Sequence, residues 1–379
     1  MRRKPRAEKN IMPKAIRSFF LFLILFLSPS KSVGEEAKDI TLIAVGDVTL
    51  GYHFEEHLLK EPPRGALPEA VRKYPWKNVG EVMRDADITL VNLECPFTRA
   101  KEKVSKNFAF KADPKLVEVL HEGGVDVVTL ANNHNMDYKG EGVQETIKTL
   151  KEGGIGYFGA GMNIKEARAP AILEVRGKKI GFVGYLHLGN HSIEPEIIWA
   201  TADSPGMAGH PSNTDMVSAM VKEDIKSLSE KTDIQVVVFH WGRETKNYPL
   251  DYQKRLARDA IDSGADAVIA HHPHVLQGIE VYRGVPIFYS LGNFIFGGHW
   301  NPGDKKSLIV RLSFGSDNKV KKVELFPVLI DEVPEYPFRP RFAKGKNYDI
   351  VKSKVIEFSR GFGDTSLFKS KIPIEWKGD

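Results

Sequence analysis

The sequence predicts an α/β protein, in which strands and helices alternate along the chain and pack in layers. Short apolar runs rich in β-branched residues alternate with longer segments whose apolar residues recur every three or four positions. Glycines follow several of these helical segments, where a left-handed residue ends a helix without a Cβ clash. A composition of 42% hydrophobic and 27% charged residues is that of a globular protein and excludes a largely disordered or fibrous chain.

The predicted elements follow one another along most of the chain. Strands are expected at residues 40–45, 88–92, 125–130, 180–185, 234–240, 267–270 and 287–290. Helices are expected at residues 114–122, 142–152, 214–230 and 248–263. Strand-like segments at 308–314 and 320–329 flank the turn sequence Gly-Ser-Asp-Asn, which predicts a hairpin that completes a sheet. We therefore expect one main domain over residues 35–300, completed by residues 301–379, of which 331–379 predict no particular element.

The first 34 residues have the pattern of an export signal. Eight basic residues and one acidic residue give this segment a net charge of +7, which leaves −2 for the rest of a chain whose total is +5. The apolar run at 19–27 would span only about 13–14 Å as a helix, well short of a ~30 Å bilayer core. The small residues of Ser32-Val33-Gly34 offer a cleavage site. We expect a signal peptide and an extracytoplasmic location; an uncleaved anchor and an N-terminal core helix are the alternatives.

The charge distribution and the single cysteine narrow the class of protein further. Because the excess positive charge lies in the leader, no bulk attraction to nucleic acid is expected. Cys95 is the only cysteine, which excludes an intramolecular disulfide. No cysteine stands directly after the apolar run, where a lipid anchor would be attached. We expect Cys95 to be a buried, unreactive thiol.

Polar side chains follow five of the predicted strands directly. They are Asp47, then Asn92 and Glu94, then Asn133 and His134, then His240, and finally His272 and His274. Because ligands of open α/β sheets bind beyond the carboxyl ends of the strands, we expect these groups to meet at one edge. Mixed imidazole, carboxylate and amide donors suit Mn, Fe or Zn, and two such ions activate water for hydrolysis. Each motif alone also fits a turn, a cap or a buried network, but the joint pattern favours a metal site.

Taken together, these motifs resemble the CapA family of capsule synthesis proteins, which is associated with poly-γ-glutamate. The resemblance covers roughly residues 40–300. It rests on Gly-Asp-Val-Thr-Leu-Gly (46–51), Asn-Leu-Glu (92–94), Ala-Asn-Asn-His (131–134) with Asp137-Tyr138, His-Trp-Gly (240–242), His-His-Pro-His-Val-Leu-Gln (271–277) and Tyr-Ser-Leu-Gly-Asn-Phe (289–294). The family is related to calcineurin-like metallophosphoesterases, which implies a four-layer α/β/β/α metallophosphatase-like sandwich.

The resemblance also implies a role for each residue of the site. Asp47 and His274 resemble ligands of a first metal ion, Glu94 a carboxylate between two ions, and Asn133, His240 and His272 ligands of the second. His134 resembles the catalytic imidazole. Residues near these motifs that we expect to contact substrate are Asn92, Arg243, Gln277 and Asn293, the last of which could instead cap a turn.

Two positions depart from the phosphoesterase pattern. Thr49 stands where that pattern, Asp-x-His, has an imidazole, and Glu94 stands where it has an aspartate. Both departures are shared by CapA-like proteins, so they favour that family over a plain phosphatase. His53 is one candidate to replace the missing imidazole.

Three functions remain open at this point. The first is an exported CapA-like protein that uses one or two Mn, Zn or Fe ions to hydrolyse, release or handle an anionic polymer such as poly-γ-glutamate, beside membrane-bound synthesis proteins. In it, His134 would act as general acid. The second is a secreted metallophosphoesterase that acts on nucleotides or envelope phosphoesters. The third is a non-catalytic polymer-binding or transport accessory. The retained imidazoles favour a metal-dependent hydrolase.

Overall fold

The computed structural model describes residues 38–59, 65–189, 194–330, 337–362 and 372–377. The predicted signal peptide, residues 1–34, lies outside these residues. The strands are β1 (Ile40–Thr49), β2 (Ile88–Leu93), β3 (Val127–Thr129), β4 (Gly156–Phe158), β5 (Ala160–Gly161), β6 (Ala171–Val175), β7 (Lys178–His187), β8 (Gly206–Met207), β9 (Ile234–Trp241), β10 (Ala267–His271), β11 (Ile279–Tyr282), β12 (Val285–Phe288), β13 (Asn293–Phe296), β14 (Lys306–Phe314), β15 (Val320–Leu329), β16 (Arg341–Phe342) and β17 (Ile374–Trp376). The α-helices are α1 (His53–Leu58), α2 (Glu69–Lys73), α3 (Gly80–Arg84), α4 (Val117–Glu122), α5 (Lys139–Glu152), α6 (Ile164–Ala167), α7 (Thr214–Ser229), α8 (Asp251–Asp262) and α9 (Lys346–Ser359).

The larger sheet is mixed and has the order β16-β15-β14-β1-β2-β3-β4, with β13 beside β1 and β17 beside β15. The strands β1 to β4 are parallel, so their carboxyl ends reach the same end of the sheet. The predicted hairpin forms as β14 and β15, which pair antiparallel with each other, and β14 pairs antiparallel with β1. The hairpin therefore extends the sheet on the side of β1 away from β2.

The smaller sheet has the order β11-β12-β10-β9-β7-β6. Its four inner strands, β12, β10, β9 and β7, are parallel, and an antiparallel strand flanks them on each side. The loops after β9 and β10 therefore leave the same end of this sheet.

Apolar side chains on both faces of each sheet hold four layers together. Along β1, Leu42 and Ala44 belong to the cluster between the two sheets, whereas Ile43 and Val45 face α3, α4 and α5. Along β9, Val236 faces the other sheet, and Val237 packs with α7 and α8. Burying one such side chain stabilises the fold by about 1.5–3 kcal/mol.

The layers therefore run helices, large sheet, small sheet, helices, and the predicted α/β/β/α sandwich is confirmed. The five strands that precede the polar motifs divide between the sheets: β1, β2 and β3 lie in the larger, and β9 and β10 in the smaller. The sequence predicts that the polar motifs meet at one edge of a sheet. The structure instead brings them together where the carboxyl ends of strands from both sheets meet. In the part of the chain that the structure describes, no helix is long and apolar enough to cross a membrane.

Candidate metal centre

Asp47 lies at the point where three strands of the larger sheet meet. It pairs in register with Asn92 of β2 and Asn293 of β13, beside an irregularity in the ladder. The preceding Gly46 allows this approach, because a Cβ there would lie 2.1 Å from the carbonyl oxygen of Gly292. The strand runs on to Thr49 instead of turning at Gly46, so Asp47 is held rigidly inside the sheet.

The carboxylate of Asp47 is buried and lies among polar groups. The Nδ2 of Asn92 donates to its Oδ1 at 2.8 Å, and the Nδ1 atoms of His271 and His274 lie 3.1 and 3.3 Å from its oxygens. Burial alone would raise the pKa of Asp47, but hydrogen bonds and charge from His271 and His274 hold it well below its usual range. Asp47 is therefore an ionised carboxylate that can bind a metal ion.

Glu94 is fully buried, and neither of its carboxylate oxygens has a hydrogen-bond partner among the residues that the structure describes. The Nε2 atoms of His240 and His274 lie 3.6 and 3.7 Å from its Oε1. Burial, and then the charge of Asp47, raise the pKa of Glu94 well above its usual range. Burying a carboxylate without hydrogen-bond donors costs free energy, so this position fits a bound cation.

A second set of donors surrounds the Nε2 atom of His240. The Oδ1 of Asn133 lies 2.9 Å from it, the Nδ1 of His272 lies 3.1 Å from it, and Glu94 stands beside them. Atoms that bind one ion at ~2.1 Å lie roughly 3–3.5 Å from one another, which matches these separations. Burial lowers the pKa of His240, and lowers that of His272 to about 3, so both imidazoles are neutral with a lone pair to offer.

His274 completes the first set of donors. One ligand atom each from Asp47, Glu94 and His274 lie within 4.8 Å of one another. Burial would lower the pKa of His274, but the carboxylates of Glu94 and Asp47 raise it to about 10. In the absence of a metal ion, the imidazolium of His274 therefore supplies the positive charge that these carboxylates require.

The loop that carries His272 and His274 is tightly turned and packs on the loop after β9. Both histidines have positive φ, 98° and 55°, and flank Pro273, whose carbonyl accepts a 2.8 Å bond from the Thr245 amide. This bond places Glu244 over the histidines, where its carboxylate lies within 4.8 Å of a nitrogen of each. Glu244 is thus a further potential ligand on the exposed side.

His134 is held beside the metal ligands by Asp137. The Nδ1 of His134 bonds Oδ2 of Asp137 at 2.8 Å, and the ring of Phe110 covers the imidazole at 4.3 Å between centroids. Burial lowers the pKa of His134, so the imidazole is neutral at pH 7. Because the carboxylate only accepts, the proton is on Nδ1, and Nε2 is left with a lone pair.

The four predicted substrate contacts occupy different surroundings. Asn92 bonds Asp47, and the Oδ1 of Asn293 lies 2.8 Å from Nδ1 of His274, so both touch the candidate ligands. Arg243 is exposed on the loop after β9. Gln277 is buried, and its amide bonds the carbonyl of Lys246 and the side chain of Gln253, which braces the loop.

Several residues at the site are not among those that the sequence predicts. His271 precedes the predicted ligand His272 and contacts Asp47. Lys106 donates to the Asn133 carbonyl at 2.8 Å and pairs with Asp137 at 2.6 Å. Glu194 accepts from Nδ2 of Asn133 at 2.8 Å and so turns the amide oxygen toward His240. Only His271 carried a signal, its place in the His-His-Pro-His run.

Two other residues weighed from the sequence lie outside the candidate ligand set. His53 bonds Glu56 at 2.8 Å and lies against the ring of Trp300. Cys95 is buried, and burial raises the pKa of its thiol to about 12, so it supplies no thiolate.

The family model and the similar proteins all indicate a family of capsule synthesis proteins. The model of the bacterial capsule synthesis protein family PGA_cap matches residues 41–298. "Capsule biosynthesis protein CapA" of Bacillus anthracis is 31% identical over 83% of this chain and 73% of its own, and "PGA biosynthesis protein CapA" of Bacillus subtilis is 30% identical over 90% and 86%. A "probable polyglutamine synthesis accessory protein" of Mycobacterium tuberculosis is 27% identical over 80% and 82%.

Proposed function

We propose a function from one premise: this chain belongs to the bacterial capsule synthesis protein family PGA_cap, to which CapA proteins belong. The protein acts in the synthesis of a capsule or of poly-γ-glutamate and hydrolyses, releases or handles the anionic polymer at a metal centre. The observation that carries the hydrolytic role is Glu94, a buried carboxylate without hydrogen-bond donors that stands between two sets of potential metal ligands.

The donors at the centre fit one or two divalent ions of the Mn, Zn or Fe class. Asp47, Glu94 and His274 would hold one ion, and Asn133, His240 and His272, with Glu94, the other. A bound ion of this kind polarises a carbonyl or phosphoryl oxygen and lowers the pKa of water. The neutral imidazoles of His240 and His272 and the ionised Asp47 carboxylate are in the protonation states that such ligation requires, and His274 would release its proton when an ion binds.

His134 moves the proton in this proposal. Its Nε2 lone pair accepts a proton from the attacking water, while Asp137 holds the Nδ1 hydrogen and stabilises the resulting imidazolium. The same Nε2 then donates that proton to the leaving group, which is the general-acid role expected from the resemblance. Lys106, whose Nζ lies 2.6 Å from Oδ1 of Asp137, forms an ion pair with this carboxylate.

The proposed location is extracytoplasmic. It rests on the basic and apolar pattern of residues 1–34 alone. Fractionation of cells that express the full chain, followed by N-terminal sequencing, tests it: we expect the protein outside the cytoplasm with a new N-terminus near Gly34. An uncleaved chain in the membrane fraction would favour the anchor, and a cytoplasmic chain would contradict export.

A non-catalytic accessory role is the second candidate, and the observation that favours it is Thr49. An imidazole expected at this position is missing, and the Thr49 hydroxyl instead donates to the carbonyl of Glu94 at 3.4 Å. A centre with fewer ligands serves to hold a polymer carboxylate through a bound cation without hydrolysing it.

Metal analysis followed by two substrate assays separates these functions. We expect the purified chain to retain one or two transition-metal ions after reconstitution and to cleave poly-γ-glutamate. The His134→Ala variant should keep the metal and lose cleavage, whereas His121→Ala, a remote histidine on α4, should keep both. Absence of bound metal would contradict the hydrolase, and cleavage of a phosphodiester but not of the polymer would favour a phosphoesterase. Metal and polymer binding without cleavage would favour the accessory.

A further inference from the structure

A strongly basic loop borders the candidate catalytic histidine. Residues 99–111, here called the basic loop, contain five basic residues and one acidic residue, in a chain whose residues after 34 carry a net charge of −2. The loop forms neither helix nor strand, and its two ends meet where Phe97 and Ala112 pair. It is thus a compact surface loop of the kind that carries function.

Three bonds fix the basic loop against the segment that carries His134. The amide of Val104 donates to the carbonyl of Asp137 at 2.8 Å, and the amide of Phe110 donates to its carboxylate at 2.6 Å. The Nζ of Lys106 reaches the carbonyl of Asn133 at 2.8 Å. A polymer chain bound along the basic loop would therefore pass beside His134.

The cations of the basic loop fall into two groups. Lys106 is mostly buried between Asp137 and Glu194, Arg99 forms a bidentate pair with Asp113, and Lys111 donates to a backbone carbonyl. Lys101 and Lys103, by contrast, are exposed, and within the described chain neither has a hydrogen bond or an ion pair. Their charges are available to an outside anion.

Exposed aromatic rings continue this surface toward His134. Phe108 is 61% exposed and Tyr52 is 44% exposed, although both are large apolar side chains. Their rings lie 6.4 and 5.8 Å from that of Phe110, which in turn stacks on His134. The surface beside the site thus combines unpaired cations with apolar area.

We propose that the basic loop, together with Phe108 and Tyr52, is the surface on which a γ-glutamyl chain lies when it reaches the site. This rests on the proposed function and names the surface that binds its substrate. Each repeat of such a chain carries one carboxylate and two methylene groups, which match the free lysines and the exposed rings respectively. A polyphosphate carries the charge without the methylene groups and would leave the rings uncovered.

The test is binding of a fluorescent γ-glutamyl oligomer to the full chain, measured by anisotropy in EDTA so that no metal bridges the two. We expect the double variant Lys101→Glu/Lys103→Glu to bind about tenfold or more weakly at low salt, with a shallower salt dependence. Phe108→Ala should bind severalfold more weakly with the salt dependence unchanged. The matched control, Lys226→Glu/Lys231→Glu, reverses two exposed charges before the amino end of β9 and should bind within about twofold of wild type.

The possible failures are distinct. If wild type binds the oligomer and the Lys101/Lys103 variant binds equally well, the basic loop is not the surface, and the proposed function stands. If wild type binds no oligomer in either EDTA or Mn, polymer handling itself is contradicted. If polyphosphate of equal charge competes better than unlabelled oligomer, the ligand class is wrong.

Discussion

Replacement of Glu94 by glutamine should stabilise the metal-free protein and weaken its stabilisation by metal. In EDTA no described residue donates a hydrogen bond to the buried carboxylate, and its cost is offset mainly by the imidazolium of His274, with a smaller contribution from Lys106. A glutamine of the same shape removes the charge and can donate to a neighbouring imidazole lone pair. We therefore expect the metal-free Glu94→Gln protein to be more stable than wild type by about 1–3 kcal/mol, the usual cost of one uncompensated buried polar group.

Bound metal should reduce or remove this advantage of the variant. An ion present at 100 times its Kd stabilises the folded state by about 2.7 kcal/mol, and a variant that lacks the central carboxylate should lose most of this gain. At roughly 2 °C per kcal/mol for a domain of this size, wild type should gain about 5 °C on addition of metal, and the variant less than half as much.

Thermal unfolding in EDTA and in excess Mn or Zn measures both effects, with Glu230→Gln, an exposed glutamate at the end of α7, as the matched control. The pH gives a further check. Because the folded protein holds a proton on Glu94 to higher pH than the unfolded chain, metal-free wild type loses stability as the pH rises above about 4.5, and the advantage of glutamine should grow with pH. A variant that is equally destabilised in EDTA and in metal would refute the reasoning.

Three further predictions concern groups around the centre. Asp137→Asn should reduce hydrolysis about 10–100-fold while the metal content stays unchanged, because a neutral amide replaces the carboxylate that orients His134 and stabilises its imidazolium; loss of metal would show a ligand role instead. Cys95 should resist iodoacetamide at pH 8 in the folded protein and react after denaturation, since burial raises the pKa of its thiol to about 12; rapid labelling in the folded state would contradict its burial. Burial lowers the pKa of His187, so the unfolded chain binds its proton first, and stability should fall as the pH drops below about 6.5. The His187→Gln variant should show a weaker fall in urea titrations, and an unchanged fall would assign the effect to other groups.

The sequence predicted the layered fold because both faces of each central strand carry apolar residues. The same property hid the division into two sheets, since a strand that is buried on both faces gives a continuous apolar run whichever sheet it joins. The end of β1 was placed too early for a related reason: Gly46-Asp47 looks like a turn, and only the close approach of Gly292 explains why the strand continues.

The site was predictable where its residues lie at or just beyond the carboxyl ends of strands. The structure brings six such residues together: Asp47, Glu94, Asn133, His240, His272 and His274. Lys106 and Glu194 come from irregular segments whose positions depend on contacts distant in sequence, so no local pattern marks them. His271 contacts Asp47 because of the relative position of the two sheets. The periodicity of apolar residues along the sequence does not determine that position.

The division of the donors between the sheets has a mechanical consequence. Asp47 lies in β1, and Glu94 and Asn133 follow β2 and β3 of the larger sheet; His240 lies in β9, and His272 and His274 follow β10 of the smaller sheet. The cluster between the two sheets is apolar, and such contacts are non-directional. The hydrogen bond between Asn133 and His240 joins the two sheets at this end and therefore limits how far they can slide over each other. Amide hydrogen exchange at the carboxyl ends of β3 and β9 should accelerate together when this hydrogen bond breaks, while the opposite ends of the same strands stay protected.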